Sequence, residues 1–265
     1  MERARILWGL GLILIGGFLL SLTLGWIPEL SDSAWAVVFA IISLLLFINY
    51  FTVGFRQWGW LFPATTTGSI AAIIWLSSTT LEGEWLGALF LFSVSIPFWV
   101  AYISNRSANW WALIPGGVLL ALSLIPLLLV EAFSGEMFGA VFMAAIGLVF
   151  LLVYLTRREQ WWAIIPAGTT LTIGIVVALS TLQFNSTFSE AIIGGAFFAG
   201  LALTFGVLWL LRGQYDTEWA KYPGIALAAV ALISLVAGTN ANLAFPILLV
   251  GGGLWLLIRN LRRAN

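Results

Sequence analysis

The chain alternates between long apolar runs and short polar breaks along its whole length. Apolar runs occupy residues 6–26, 34–54, 59–78, 85–104, 110–130, 137–155, 161–182, 191–211, 219–237 and 243–258. Each run is close to the ~20 residues that an α-helix needs to cross a bilayer. The pattern therefore predicts an all-α, polytopic integral membrane protein with ten transmembrane helices.

The first run is predicted to remain in the protein as a helix. It follows two basic residues, Arg3 and Arg5, as the apolar part of a signal peptide would. However, the run is long, and the residues that follow it, Trp26-Ile27-Pro28-Glu29, offer no small-x-small cleavage site.

A block containing Arg, Trp and Pro returns at intervals of just over fifty residues. Clear copies begin at Arg106 and Arg158, and looser copies lie at residues 56–63 and 219–224. The prolines of the four copies are 52, 51 and 57 residues apart. A fixed period of this kind indicates a repeated structural unit. We expect one transmembrane domain, residues 1–265, built from five helical hairpins at about 1–54, 55–104, 105–156, 157–211 and 212–265.

The block has a physical interpretation as a membrane-entry point. Tryptophan collects at the membrane–water boundary, where its ring is half buried and its N–H stays hydrated. A proline four or five residues later fits the first turn of a helix, because no intrahelical bond is lost there. The block therefore predicts where the chain re-enters the membrane from the cytoplasm.

Composition supports the membrane assignment and narrows the chemistry. Hydrophobic residues make up 62% of the chain and charged residues only 8%, whereas a soluble protein is about 25% charged. The absence of Cys excludes thiol catalysis and iron–sulfur ligation. The absence of His removes imidazole haem ligation and most zinc sites.

The distribution of charge predicts the orientation. All eleven basic residues fall in alternate breaks on one side, which also holds four acidic residues and so has a net charge of +7. The seven acidic residues of the other side give it a net charge of −7. Short cytoplasmic loops carry an excess of Lys and Arg, so both termini are predicted to be cytoplasmic.

The even-numbered spans share further features. A glutamate is expected in the first turn of three of them, where it faces the positive end of the helix dipole: Glu84, Glu136 and Glu190. Small residues at four-residue spacing are expected to contact neighbouring helices: Ala140 with Ala144, and Ala196 with Gly200.

Few residues in the spans offer chemistry. Apart from Lys221 at the start of the ninth run, no Asp, Glu, Lys or Arg lies inside the ten runs, which argues against a pump, a proton-driven transporter and an intramembrane hydrolase. We expect no enzyme activity, no cofactor and no metal. Broken helices at Pro97 and Pro126, or the hydroxyls of residues 65–67 and 169–172, remain the features with which a substrate cavity could be built.

The first fifty residues resemble a known family. Arg3-Ala-Arg-Ile-Leu-Trp8-Gly9 followed by a glycine-broken aliphatic helix resembles the transmembrane region of the bacterial LiaI/LiaF-like envelope-stress proteins. The later Trp-Trp…Pro repeats look like those of multi-pass bacterial membrane proteins. The resemblance implies a bacterial cell-membrane protein of the envelope. The chain lacks the soluble C-terminal domain of LiaF-type proteins, so no functional residue is carried over.

Two functions are compatible with these observations. The first is a non-catalytic scaffold, sensor or partner- and lipid-binding component of the bacterial inner membrane. The second is a facilitator that moves a neutral or amphipathic solute. A protein partner or a homo-oligomer fits either, and no nucleic acid is expected. One hypothesis is that membrane lipids, including anionic ones at the cytoplasmic face, contact a set of basic and tryptophan residues: Arg56, Trp58, Trp60, Arg106, Trp110, Trp111, Arg157, Arg158, Trp161, Trp162, Trp219 and Lys221. The alternative is that the basic residues of this set only determine the orientation in the membrane.

Overall fold

The computed structural model describes most of the chain between residues 30 and 237. The described ranges are 30–54, 56–77, 83–129, 135–181 and 186–237, together with residues 13, 16–18, 20–26, 246 and 249–253. Within these ranges the regular structure is helical and contains no strand. The all-α prediction is therefore confirmed for this part of the chain.

Eight α-helices follow one another through the continuous ranges. They are α1 (Asp32–Val53), α2 (Leu61–Leu76), α3 (Gly83–Ser104), α4 (Leu113–Leu129), α5 (Gly135–Thr156), α6 (Ile164–Ser180), α7 (Ser186–Leu210) and α8 (Lys221–Ala237). Their ends lie within about five residues of the predicted apolar runs, because the polar breaks supply the residues that end helices.

Within the described part of the chain, six helical segments are long and apolar enough to cross a membrane. They are Asp32–Val53, Trp58–Leu76, Gly83–Ser104, Gly135–Thr156, Trp161–Ser180 and Ala191–Gly213. This finding indicates a membrane protein. The first and last predicted spans, residues 6–26 and 243–258, are described only in part. The total of ten helices therefore stays a prediction.

The eight helices are arranged as a row. Each described α-helix packs extensively only against the helix before it and the helix after it in the chain. The contacts are most extensive within the pairs α1–α2, α3–α4, α5–α6 and α7–α8. The two helices of each pair are joined by a segment that contains the repeated Trp block, called here a Trp-containing segment. The predicted hairpins grouped the helices across the acidic breaks instead. Those hairpin boundaries stay predictions.

Small residues let neighbouring helices approach closely. A methyl group on Gly168 of α6 would overlap the side chain of Thr204 on α7, and one on Gly200 of α7 would overlap Thr172 of α6. The two glycine–threonine contacts are therefore reciprocal. Each threonine also donates its hydroxyl to the glycine carbonyl one turn earlier, Thr172 to Gly168 at 2.7 Å and Thr204 to Gly200 at 3.0 Å. The hydroxyls are satisfied locally, and the predicted contact at Gly200 is confirmed.

The closest backbone approach joins α5 and α6. A Cβ atom on Gly174 would lie 2.8 Å from the carbonyl oxygen of Ala140 and 3.1 Å from the backbone nitrogen of Ala144. Both contacts are with backbone, which cannot rotate away. The predicted role of Ala140 and Ala144 in helix packing is thus confirmed, and only glycine fits opposite them.

Acidic residues begin three of the helices. Asp32, Glu84 and Glu136 lie in the first turns of α1, α3 and α5, where a negative charge interacts favourably with the helix dipole. Helix α7 begins at Ser186, so Glu190 falls beyond its first turn, and that prediction is wrong. Pro97 and Pro126, considered as possible helix breaks, lie inside continuous α3 and α4.

A buried core lies near the edge of the row that carries the Trp-containing segments. It combines residues of α4 to α7 and of the two segments that precede α6 and α8: Leu113, Val153, Tyr154, Ala163, Ile164, Leu208 and Ala220. Partly buried aromatic rings, among them Trp99, Trp110 and Trp161, pack around it. This core therefore packs against the Trp-containing segments and positions the candidate site.

Candidate lipid-facing site at the tryptophan turns

Four short 3₁₀ turns share one backbone geometry. These tryptophan turns, numbered first to fourth along the chain, are Trp58–Trp60, Trp110–Ala112, Trp161–Ala163 and Glu218–Ala220. In each, the N–H of the third residue donates to the carbonyl of the residue just before the turn, at 3.2, 3.1, 3.0 and 3.0 Å. The same local fold thus recurs at the repeat period.

A proline follows each tryptophan turn at the third residue of the next helix. The four are Pro63, Pro115, Pro166 and Pro223, in α2, α4, α6 and α8. The first N–H groups of an α-helix have no intrahelical acceptor, so proline costs no helical hydrogen bond there. The predicted position of these prolines in a first helical turn is confirmed.

The third residue of the second, third and fourth turns is small because it is enclosed. Ala112, Ala163 and Ala220 are almost completely buried. A larger side chain would separate the turn from the helices behind it. This requirement was missed from the sequence, although the alanine two residues after the first aromatic position of the second and third blocks is visible there.

Aromatic contacts join the first turn to the second. The rings of Trp58 and Trp111 have centroids 5.9 Å apart. Phe98 of α3 contacts both Trp111 and Phe62, with centroids 6.3 and 4.8 Å apart in edge-on geometry. Such offset and edge-on pairs stabilise beyond the burial of their surface. The four rings therefore form one cluster that holds two successive turns together.

The second and third turns are joined by an aromatic contact and by a hydrogen bond. Trp110 and Trp162 have ring centroids 6.3 Å apart. The Nη2 of Arg157 donates to the carbonyl oxygen of Arg106 at 2.7 Å. A charged donor makes this a strong hydrogen bond. Arg157 therefore has a structural role in addition to any contact with lipid.

The third turn is joined to the fourth through a tyrosine. The hydroxyl of Tyr215 donates to the carbonyl oxygen of Arg158 at 2.6 Å. The following Thr217 is fully buried and donates its hydroxyl to the carbonyl of Leu208 at 2.7 Å. The loop that leads into the fourth turn is thereby fixed to both neighbours. All four turns therefore lie side by side along one edge of the row, where α1–α2, α3–α4, α5–α6 and α7–α8 are joined.

The predicted lipid-contact residues differ in exposure. Arg56, Arg106, Arg158, Trp111, Trp162 and Trp219 are exposed, and Trp58, Trp60, Trp110, Arg157, Trp161 and Lys221 are partly buried. The structure thus places the twelve residues along the same edge of the row. The side chains of the partly buried ones also pack against neighbouring parts of the protein. Two indole N–H groups are directed to glutamine side chains, Trp162 to Gln160 at 2.7 Å and Trp60 to Gln57 at 3.3 Å.

Several guanidinium groups rest on aromatic rings of the preceding helical turn. Arg106 lies 5.9 Å from the centroid of Tyr102, and Arg158 lies 4.6 Å from that of Tyr154. Arg212, which the sequence did not single out, lies 4.4 Å from the ring of Trp209. An aromatic residue three or four positions before an arginine is the signal that would have identified these pairs.

The fourth turn carries an ion pair. The Nζ of Lys221 lies 2.6 Å from Oε1 of Glu218. The hydrogen bond and charge of Lys221 lower the pKa of Glu218, and Arg212 contributes to the same shift. The hydrogen bond that Lys221 donates to Glu218 raises the pKa of Lys221. Both groups are therefore charged throughout the neutral range.

Replacing Tyr215 by phenylalanine is expected to lower the Tm and to reduce its dependence on alkaline pH. Burial raises the pKa of Tyr215, and the hydrogen bond to Tyr154 adds to the shift. A raised pKa means that the stabilisation is complete below the ordinary value of about 10 and is lost as pH rises through the folded-state value. Thermal unfolding at pH 8 and pH 11 measures this. Tyr222→Phe, at an exposed tyrosine, is the control, and an equal alkaline loss in both variants would contradict the assignment.

Among the described residues, no group of three or more Cys, His, Asp or Glu side chains comes together. Comparison with protein-family models, with curated proteins and with solved structures finds no match to the chain. The resemblance of the first fifty residues to LiaI/LiaF-like proteins therefore stays a prediction.

Proposed function

We propose that the protein is a non-catalytic, multi-pass component of the bacterial inner membrane with ten spans, five duplicated hairpins and both termini in the cytoplasm. The sorting of charge supports this orientation, since every basic residue belongs to the side of the tryptophan turns. The recurrence of one backbone geometry at each described turn supports duplication. The protein acts as a scaffold, sensor or partner-binding element of the cell envelope.

We further propose that the row of tryptophan turns binds anionic lipid head groups. The observation that carries this proposal is the fixed side-by-side order of the turns. This order places the exposed side chains of Arg56, Arg106 and Arg158 along one edge of the row of helices, beside indole rings. Indoles anchor at head-group depth, and each juxtamembrane basic residue attracts anionic lipid by about 1 kcal/mol.

The packing of polar residues favours this function over a solute facilitator. Thr65, Thr172 and Thr204 are buried at helix contacts, and their hydroxyls donate to backbone carbonyls of their own helices at 2.7 to 3.0 Å. These hydroxyls are thereby satisfied within the protein. The facilitator hypothesis needs them to face a solute path.

The lipid hypothesis is tested by the variant Arg56→Gln/Arg106→Gln/Arg158→Gln. We expect it to retain less phosphatidylglycerol than the wild type during purification from mixed nanodiscs, as measured by mass spectrometry. Each lost charge corresponds to roughly a fivefold change in binding at about 1 kcal/mol. Arg157 is left in place, because its bond to Arg106 holds two turns together.

The matched control replaces the same three arginines by lysine. It keeps the charge and should keep the lipid. An unchanged lipid profile in the glutamine variant would leave membrane orientation as the only role of these arginines. Orientation is checked separately with Ser107→Cys, which should react with an impermeant thiol reagent only after lysis, whereas Ser134→Cys and Asn185→Cys should react in intact cells.

A further inference from the structure

An open apolar groove runs along the contact between α7 and α8. Its volume is about 620 Å³, within the roughly 300–1,000 Å³ typical of small-molecule sites. Small residues form its floor, including Ala202 and Gly206 of α7 and Gly224 and Ala228 of α8. The floor is therefore wide enough to admit a chain of methylene groups but offers that chain no polar partner.

The length of the groove matches a lipid tail. Its lining on α8 extends from Lys221 to Leu235, which is about 21 Å of helix at 1.5 Å per residue. One leaflet of the hydrocarbon core is about 15 Å deep. A tail that enters at Lys221 could thus lie in the groove over the full depth of its leaflet.

The basic end of the groove carries charges of both signs. Lys221 and Trp209 line the groove itself. Arg212 stacks on the Trp209 ring, and Glu218 pairs with Lys221. With Asp216, the fourth-turn segment holds two basic and two acidic residues and is electrically neutral. The first, second and third turns each carry a net positive charge instead.

We propose that the α7–α8 groove binds one phospholipid with an ethanolamine head group, its tail between the helices and its head group on the fourth-turn charges. This rests on the proposed membrane location but not on anionic-lipid binding by the other turns. The phosphate interacts with Lys221 and Arg212, and the primary ammonium donates to Glu218. A neutral pair of opposite charges fits a neutral, dipolar head group better than a net anionic one. A primary ammonium is preferred to choline because it can donate hydrogen bonds to a carboxylate.

The variant Gly206→Leu tests the tail site. Nothing lies within 4 Å of a Cβ atom built on Gly206, so the leucine side chain fills the groove without displacing a helix. Purified wild type and variant are placed in nanodiscs of phosphatidylethanolamine and phosphatidylglycerol, and retained lipid is measured by native mass spectrometry. We expect loss of the bound phosphatidylethanolamine. Gly194→Leu is the matched control, because it lies on the same helix, equally open, outside the groove.

The variant Glu218→Gln tests the head-group site, with Glu159→Gln of the third-turn segment as its control. We expect Glu218→Gln to lower the ratio of retained phosphatidylethanolamine to phosphatidylglycerol, and the control to leave it unchanged. Phosphatidylcholine should not replace the bound ethanolamine lipid.

Three results would overturn the proposal. If Gly206→Leu keeps its lipid but loses thermal stability, the groove is covered by residues 243–258. If it instead dissociates a dimer, the occupant is a second copy of the chain. If the lost lipid is phosphatidylglycerol, the groove belongs to the anionic-lipid surface. The triple arginine variant reports on that surface alone, so failure of either proposal can be recognised separately.

Discussion

Leu208→Ala is expected to destabilise the protein more than any other single truncation on α7. Leu208 is completely buried, with 0% of its surface exposed, in the core at the tryptophan turns. It packs with core residues of α5 and of the third and fourth turns, such as Val153, Ala163 and Ala220. Truncation of a buried leucine costs about 2–5 kcal/mol. We expect the lower half of that range, because lipid tails solvate an exposed leucine as well as protein does and only packing is lost.

The control for this prediction lies two residues away. Leu210 is 71% exposed on the same helix, so Leu210→Ala should change the free energy of unfolding by less than about 0.5 kcal/mol. Reversible unfolding in mixed micelles measures both variants. Equal changes in the free energy of unfolding would show that the buried core does not lie beside the tryptophan turns.

Gly174→Ala is the second substitution with a large expected effect. The added methyl group would lie 2.8 Å from the carbonyl oxygen of Ala140 and 3.1 Å from the amide nitrogen of Ala144. Because both atoms belong to the backbone of α5, the two helices must separate. Overpacking of this kind costs about 1–3 kcal/mol, and the variant should unfold at a correspondingly lower concentration of denaturing detergent.

Gly139→Ala provides the comparison for Gly174→Ala. Nothing lies within 4 Å of a Cβ atom built on Gly139, and alanine favours the helix by about 0.4–1 kcal/mol. We therefore expect this variant to be neutral or slightly stabilised. Destabilisation of both variants to the same degree would indicate that the loss of glycine itself, and not the α5–α6 contact, matters.

The helices could be predicted because hydropathy alone determines where a chain crosses a membrane. Every described helix falls on an apolar run. The residues that determine where a helix begins also lie close to it in the sequence. Ser31 caps α1 by accepting a hydrogen bond from the Ala34 amide, and Pro63 lies in the first turn of α2. Such features depend on neighbours within one helical turn, which the sequence shows directly.

The order of packing could not be predicted in the same way. A helix with lipid on most of its surface carries little polar patterning, so its sequence does not indicate which neighbour it contacts more closely. The decisive residues are pairs such as Gly168 with Thr204, which are far apart in the chain and ordinary in composition.

The sequence indicates which residues belong to the candidate site but not which contacts they make. The Trp and Arg residues are marked by their repetition. Their division of labour depends on contacts between different turns. Arg157, for example, donates to the Arg106 carbonyl, whereas Arg158 lies over a tyrosine. Nothing in the two adjacent arginines distinguishes these roles before the turns are placed side by side.

The restriction of extensive helix contacts to successive helices has a mechanical consequence. Each described pair is held by the pair before it and the pair after it, so removing one pair from an end leaves the remaining contacts intact. Such an assembly behaves as a one-dimensional stack whose stability is a sum of nearest-neighbour terms. Under a pulling force applied at one terminus, the protein would be extracted from the membrane in successive two-helix steps. The same property would let each pair join its predecessor during synthesis, before the rest of the chain exists.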